Sequence, residues 1–259
     1  MSRAAPDPLA HVAALPGVAE AVDRARQAVD DLRGHRVLRR ASERVSSESA
    51  VRGARASAAL EGADVPLDVV RRTVSAGGHL PAPDEAVVTG ALRVAAELGQ
   101  LVGTWRRAPL QVVARLHALA ATDLEDDPDL LGRPAPRAAD RLAALGEVLT
   151  SPSTAPALVA AAVVHAELAT MGAFDTGAGV VARAASRLTT VDRGLDPKAV
   201  SVPEVGHVEL GRAAYQEALR GYAGGGPDGI AAWVVHCAEA TVLGAREGVA
   251  VCEAIQRGA

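Results

Sequence analysis

Apolar residues recur along this chain at intervals of three and four, the spacing that lines one face of an α-helix. Over residues 17–60 the pattern runs through Val18, Ala21, Val22, Ala25, Val29 and Leu32, so that stretch is expected to be helical. Asp84 and Gly103 bracket a second helix over 84–104. Pro109 opens a third through Ala121, with Leu110, Val113, Leu116 and Leu119 or Ala120 on one side. Residues 126–135 read as loop, followed by a helix through Leu149 and a break at Ser151-Pro152-Ser153. Pro156 stands near the first turn of the next helix, where its missing N–H costs little. That helix is expected to run to about Ala173, and a loop to follow over 174–179. Further helices are expected from near Val180 and over 198–203, 207–221 and 228–257. The run Gly77-Gly78-His79-Leu80-Pro81-Ala82-Pro83 punctuates the chain. No alternating stretch is long enough to argue a strand, and no fixed-period repeat is present. The predicted class is all-α, a helical bundle with an N-terminal helical segment over 1–80 and a core over 81–259.

Composition sharpens this picture. Only 2% of residues are aromatic and there is a single Phe, so Ala, Val and Leu must fill the core. Small side chains let helices approach closely, which favours helix-on-helix packing over a sandwich of bulky pleated faces. The net charge of −4 sets up no strong field. Seven arginines lie between Arg33 and Arg55, against two glutamates. Without aromatic residues for base stacking they read as a solvated helical face, and nucleic acid is disfavoured as a partner.

Cys237 and Cys252 fall in one expected helix, roughly 22 Å apart at about 1.5 Å per residue, too far to pair. The N-terminus lacks the continuous apolar stretch of a secretion signal. The longest apolar candidate, Ala155–Ala166, is broken by Pro156 and His165, so no membrane association is expected. These features suit a reduced, cytoplasmic setting. His117, His165, His207 and His236 are scattered in sequence without ligand spacing, so no metal site is expected. Cys237 reads as a small core residue.

The stretch that bears on chemistry runs from His165 to Arg183: HAELATMGAFDTGAGVVAR. It predicts a helix, a glycine-flanked loop and a second helix, an arrangement that can turn backbone N–H groups toward an anion. Its spacing resembles the motif of the Fic family, enzymes known for moving AMP from ATP onto a protein hydroxyl. Phe174, Gly177, Gly179 and Arg183 match the motif, and His165 with Leu168 matches the helix before it. Upstream, Ser57-Ala58-Ala59-Leu60-Glu61-Gly62 resembles the family's inhibitory helix. The resemblance implies that Glu61 pairs with Arg183, the residue that otherwise receives the ATP γ-phosphate. Leu116-His117, Tyr215 and Trp233 also resemble the helices around that motif, so the likeness spans roughly residues 40 to 259.

The departures bear on activity. Gly172 stands where the family has its catalytic His, and Ala173 where it has Pro. The acidic metal contact falls on Thr176, with Asp175 one position early. Ala178 replaces an Asn, and Val180 replaces the first Arg of the motif. Loss of a positioned general base costs about 10²–10⁴ in rate. Thr176 lacks the anionic oxygen that Mg²⁺ prefers, and Val180 cannot stabilise phosphate charge. The β-hairpin flap that usually docks a target segment is expected to be reduced or absent, because Pro128–Asp140 reads PDLLGRPAPRAAD.

The reading is therefore a Fic-like pseudoenzyme that acts as a protein-binding or regulatory module, with a protein partner and a homodimer both in view. No cofactor is expected. The alternative is an active AMP transferase with a rebuilt site, using ATP and Mg²⁺, in which Asp175 or His165 takes over as base or metal ligand. Candidate nucleotide or anion contacts are Phe174, Asp175, Thr176, Gly177, Gly179 and Arg183. Ser57, Glu61 and Gly62 form the inhibitory-type helix.

Overall fold

A computed structural model describes residues 7–76, 80 and 84–258. Residues 1–6 and, apart from Leu80, the predicted break at 77–83 lie outside the described residues. Twelve α-helices and no strands occur among the described residues. They are α1 (Pro8–Ala13), α2 (Val18–Arg33), α3 (Leu38–Glu61), α4 (Leu67–Ala76), α5 (Glu85–Trp105) and α6 (Pro109–Ala121), then α7 (Ala139–Thr150), α8 (Ala157–Thr170), α9 (Ala178–Asp192), α10 (Pro203–Leu210), α11 (Arg212–Ala223) and α12 (Pro227–Gln256). The all-α expectation holds.

Five elements differ from the sequence reading, each for a local reason; one is the stretch 207–221, which Gly211, with φ +97°, divides between α10 and α11. The stretch over 17–60 is two helices, because the chain turns through 34–37 and His35 Nδ1 accepts from the Val37 amide at 3.3 Å. The turn lets Leu32 and Leu38 enter the same apolar cluster. Helix α8 stops at Thr170, not Ala173, since Gly172 takes a left-handed φ of +65°. No helix forms over 198–203. There Asp196 accepts from the Val200 amide at 3.1 Å and the Ser201 amide at 2.8 Å, around a turn in which Ala199 takes a left-handed φ of +49°. Pro203 disfavours helical geometry before it and opens α10 instead. Helix α4, which turns Val70 into the core, was not expected.

The helices surround three apolar clusters. One joins α5, α6, α8 and α9 with Ala54 and Ala58 of α3. A second lies between α2, α8 and the first half of α12 and includes Tyr215 and Trp233. The third joins Val29 and Leu32 to Leu38, Val45, Val251 and Cys252. Both cysteines are buried and unpaired on α12, as expected. The segment 1–80 contributes α2 and α3 to the same clusters as the later helices.

The arginine-rich stretch proves less solvated than expected. Arg52 pairs with Glu48 at 2.7 Å and with Glu247, Arg55 pairs with Asp64, and Arg33 reaches Asp30 at 3.3 Å. Helix α5, not singled out in the sequence, is long and apolar enough to cross a membrane by length and composition, though Arg93 and Glu97 interrupt its apolar run. Here it packs in the first cluster, with Arg93 paired to Asp123 and Arg115 to Glu97, both at 2.5 Å.

The histidines require the largest correction. His117, His165, His207 and His236 are all buried, and three of them converge. His165 Nε2 lies 2.7 Å from Tyr215 Oη, and His207 Nδ1 lies 3.1 Å from His236 Nε2. Trp233 packs edge-on to His165 and stacks parallel to His207. Helices distant in sequence supply these residues, so linear spacing carried no trace of the cluster. Burial holds all four imidazoles below their ordinary value, His165 and His207 furthest.

Two predictions follow from packing and burial. On Gly244 of α12 a Cβ would fall 2.4 Å from the Val202 backbone carbon, so α12 touches the chain before α10 with no room for a side chain. Gly244→Ala is expected to lose about 1–3 kcal/mol or more in urea unfolding. Gly99→Ala, where a Cβ meets nothing within 4 Å, is expected to gain about 0.5–1 kcal/mol.

The second concerns acid. The unfolded chain binds protons at histidine near the ordinary value of 6.5, while the folded chain holds these four neutral to lower pH. Stability is therefore full above pH 6.5 and falls below it, by at most about 1.4 kcal/mol per pH unit for each histidine. Thermal melts between pH 8 and 5 check this, and an unchanged melting temperature across that range would contradict it.

Candidate functional site

The site is built around the start of α9. Gly177 caps that helix in left-handed geometry, φ +63°, as the predicted loop requires. Phe174, 7% exposed, anchors the loop in the core, where its ring stacks on His117 of α6 with centroids 3.9 Å apart. His117 Nδ1 accepts from the Gly132 amide at 2.9 Å, and its Nε2 is buried without a hydrogen-bond partner. Burial lowers the pKa of this imidazole, while Glu125 and the Thr176 backbone act in the opposite direction.

The upstream element meets the loop as the resemblance implied. Arg183 is 3% exposed, and all three of its guanidinium nitrogens are engaged. Nε donates to Ser57 Oγ at 2.8 Å, and Nη1 donates to Tyr215 Oη at 3.1 Å. Nη2 donates to the Ser57 carbonyl at 3.0 Å and to Glu61 Oε1 at 2.7 Å. Burial opposes the charge, but Tyr215 and Glu61 outweigh it and raise the arginine pKa. Burial pushes the Tyr215 hydroxyl up, against the pull of Arg183. Gly62 ends α3 with a left-handed φ of +105°, which stops the helix directly after Glu61.

Glu61 also lies over the first turn of α9. A Cβ on Gly179 would sit 2.1 Å from Glu61 Oε1, so only glycine admits the carboxylate. The positive end of the α9 dipole favours an anion there. The protein's own carboxylate occupies that place.

The remaining candidate residues are arranged differently from the family pattern. Gly172 has φ +65°, and a Cβ there would lie 3.2 Å from Arg137 Nε. Arg137 in turn pairs with Asp175 at 2.5 Å on the exposed surface. Thr176 donates to Glu125 Oε1 at 2.5 Å. Val180 is 4% exposed and packs in the first apolar cluster, not toward the loop. His165 is 1% exposed and is linked to Arg183 through the Tyr215 hydroxyl, which both contact.

Three residues at the site were not singled out as site residues by the sequence reading: Arg137, Glu125 and His117. Arg137 comes from the segment read as a reduced flap. Two 3₁₀ turns, Pro128–Leu130 and Pro136–Ala138, replace any hairpin there, and the Ala135 amide donates to the Ala173 carbonyl at 2.8 Å. No motif marks these positions, because each contributes through a contact made far along the chain.

No family sequence model matches the chain, and no curated protein sequence does. Solved structures do. A Fic family protein from Desulfovibrio desulfuricans G20 superposes with a TM-score of 0.70 at 20% identity, covering 91% of this chain and 74% of that one. Fic-1 (aa134–508) from C. elegans superposes with a TM-score of 0.74 at 17% identity, covering 93% of this chain and 74% of that one. A variant of that fragment gives 0.68 at 17% identity, covering 93% and 73%. The helical bundle around the α8–α9 loop, with α3 laid against its arginine, is the Fic fold.

Proposed function

We propose that this Fic-fold chain is a pseudoenzyme, inactive in AMP transfer, that serves as a protein-binding or regulatory module. The observation that carries the reading is the occupant of the reaction centre. Where the family places its catalytic imidazole, this chain has Gly172 in a left-handed conformation with the Arg137 guanidinium 3.2 Å from where a Cβ would stand. A guanidinium stays protonated at any accessible pH and cannot accept the proton of an attacking hydroxyl.

The other changes point the same way. Asp175, one position before the family's acidic metal contact, is paired with that guanidinium. Thr176 stands at the metal position itself and donates to Glu125. Arg183 has every nitrogen engaged by Ser57, Tyr215 and Glu61. The alternative of a rebuilt active site finds little support. His165 sits in the core, two helical turns before Gly172, bonded to Tyr215.

An assay with labelled ATP, Mg²⁺ and a set of candidate target proteins tests this. The native chain and Glu61→Gly, which clears the α9 N-terminus, are both expected to incorporate no AMP. Gly172→His is expected to remain inactive, since the new side chain meets Arg137 on a backbone that favours glycine and since Val180 and Ala178 still lack the phosphate contacts. AMP incorporation by Glu61→Gly that Arg183→Ala or Asp175→Ala abolishes would overturn the proposal.

A further inference from the structure

Away from the α9 loop, one set of side chains has no part in the proposed function. His165 from α8, His207 from α10 and Cys237 from α12 each offer a ligand-type atom, and these atoms all lie within 4.8 Å of one another. The three residues are 1%, 4% and 5% exposed. They share the wall of a small cavity, ≈ 30 Å³, with Thr241 and Glu204. That volume suits a single water-sized occupant. Turning three polar groups toward one buried point costs desolvation that Ala or Leu would not incur, so packing alone is a poor account of them.

We propose that His165, His207 and Cys237 bind one thiophilic transition-metal ion, with zinc as the expected occupant. Two imidazoles and a thiolate are ligands that zinc takes in tetrahedral sites, with a water completing the fourth position. Each ring already has one nitrogen held by a neighbour. His207 Nδ1 lies 3.1 Å from His236 Nε2, and His165 Nε2 lies 2.7 Å from Tyr215 Oη. If the first donates to His236 and the second to Tyr215, each ring keeps one lone pair for the metal. This is how a second partner fixes the tautomer of a metal-bound histidine. In a tetrahedral site the ligand atoms stand about 3.3–3.8 Å apart, so the widest pair closes by about 1 Å on binding.

Charge and protons balance. Burial keeps the free Cys237 thiol protonated, so loading proceeds as Zn²⁺ plus thiol to zinc thiolate plus one proton released to solvent. The two guanidinium groups on the cavity wall are already neutralised, Arg183 by Glu61 at 2.7 Å and Arg187 by Glu204 at 2.8 Å. Three helices supply the ligands, so the ion is taken up as they assemble and its binding is coupled to folding.

The test is metal analysis of the full chain, produced without a polyhistidine tag and purified without chelator. About one equivalent of zinc per chain is expected, falling at least about tenfold in Cys237→Ser and in His207→Gln. Chain refolded with Co²⁺ is expected to show a thiolate-to-cobalt charge-transfer band in the near ultraviolet. Cys252→Ser, which changes the other buried thiol of α12, should keep that band. If Cys237→Ser does not fold, the band in Cys252→Ser still assigns the ligand to Cys237. Native chain that binds no metal after refolding with zinc, or metal that persists undiminished in folded Cys237→Ser, overturns the proposal.

Discussion

A guanidinium buried on α9 cannot remain there unless its charge and its donors are met, and Arg183 organises the molecule through that requirement. Its partners come from α3, through Ser57 and Glu61, and from α11, through Tyr215. These contacts tie an N-terminal helix and a C-terminal one to the middle of the chain. Removing one partner from a buried ion pair costs about 3–5 kcal/mol in general. Glu61 is a third exposed, so water would recover part of that cost if Arg183 were lost. The reverse loss is harsher, because Arg183 has almost no access to water. The end of α3 is therefore held at the α9 loop by electrostatics, whatever passes through the site.

That constraint explains how the segment around the start of α9 is built. Phe174, Gly177, Gly179, Arg183, Ser57 and Glu61 all serve the packing of the loop and α3, and each has a structural partner or a conformational duty. Gly172, Thr176, Ala178 and Val180 lie in the same segment and carry no charge, and packing asks none of them. Val180 has turned into the apolar core. The polar contacts of this loop are made from elsewhere in the chain, by Arg137 to Asp175 and by Glu125 to Thr176.

Local signals were legible in the sequence, and convergent ones were not. Pro109 marked the start of α6, and the glycines at 177 and 179 marked the start of α9. The Glu61–Arg183 contact was legible because both ends carry a recognisable pattern. The turn at 34–37 was missed although the apolar period lapses there, at His35 and Arg36 after Gly34, and α10 was displaced because Asp196 holds residues that lack a helix-breaking composition. Arg137 and the histidine cluster were invisible for a deeper reason. Each depends on where helices cross, and crossing geometry in an alanine-rich bundle is set by close backbone contacts such as Gly244 against Val202.

The scarcity of large rings accounts for the character of the core. With one Phe, two Trp and two Tyr in the whole chain, stacking partners must be found among histidines. His117 stacks on Phe174 with the rings 9° from parallel, and His207 lies 4° from parallel with Trp233. His117 Nδ1 and His207 Nδ1 each have a hydrogen-bond partner, and burial keeps these rings neutral. Tyr215 then becomes the shared member of two networks, bonded to His165 on one side and to Arg183 on the other. A change in the histidine cluster that moves Tyr215 must therefore act on Arg183, and through Arg183 on the position of Glu61 over the α9 loop.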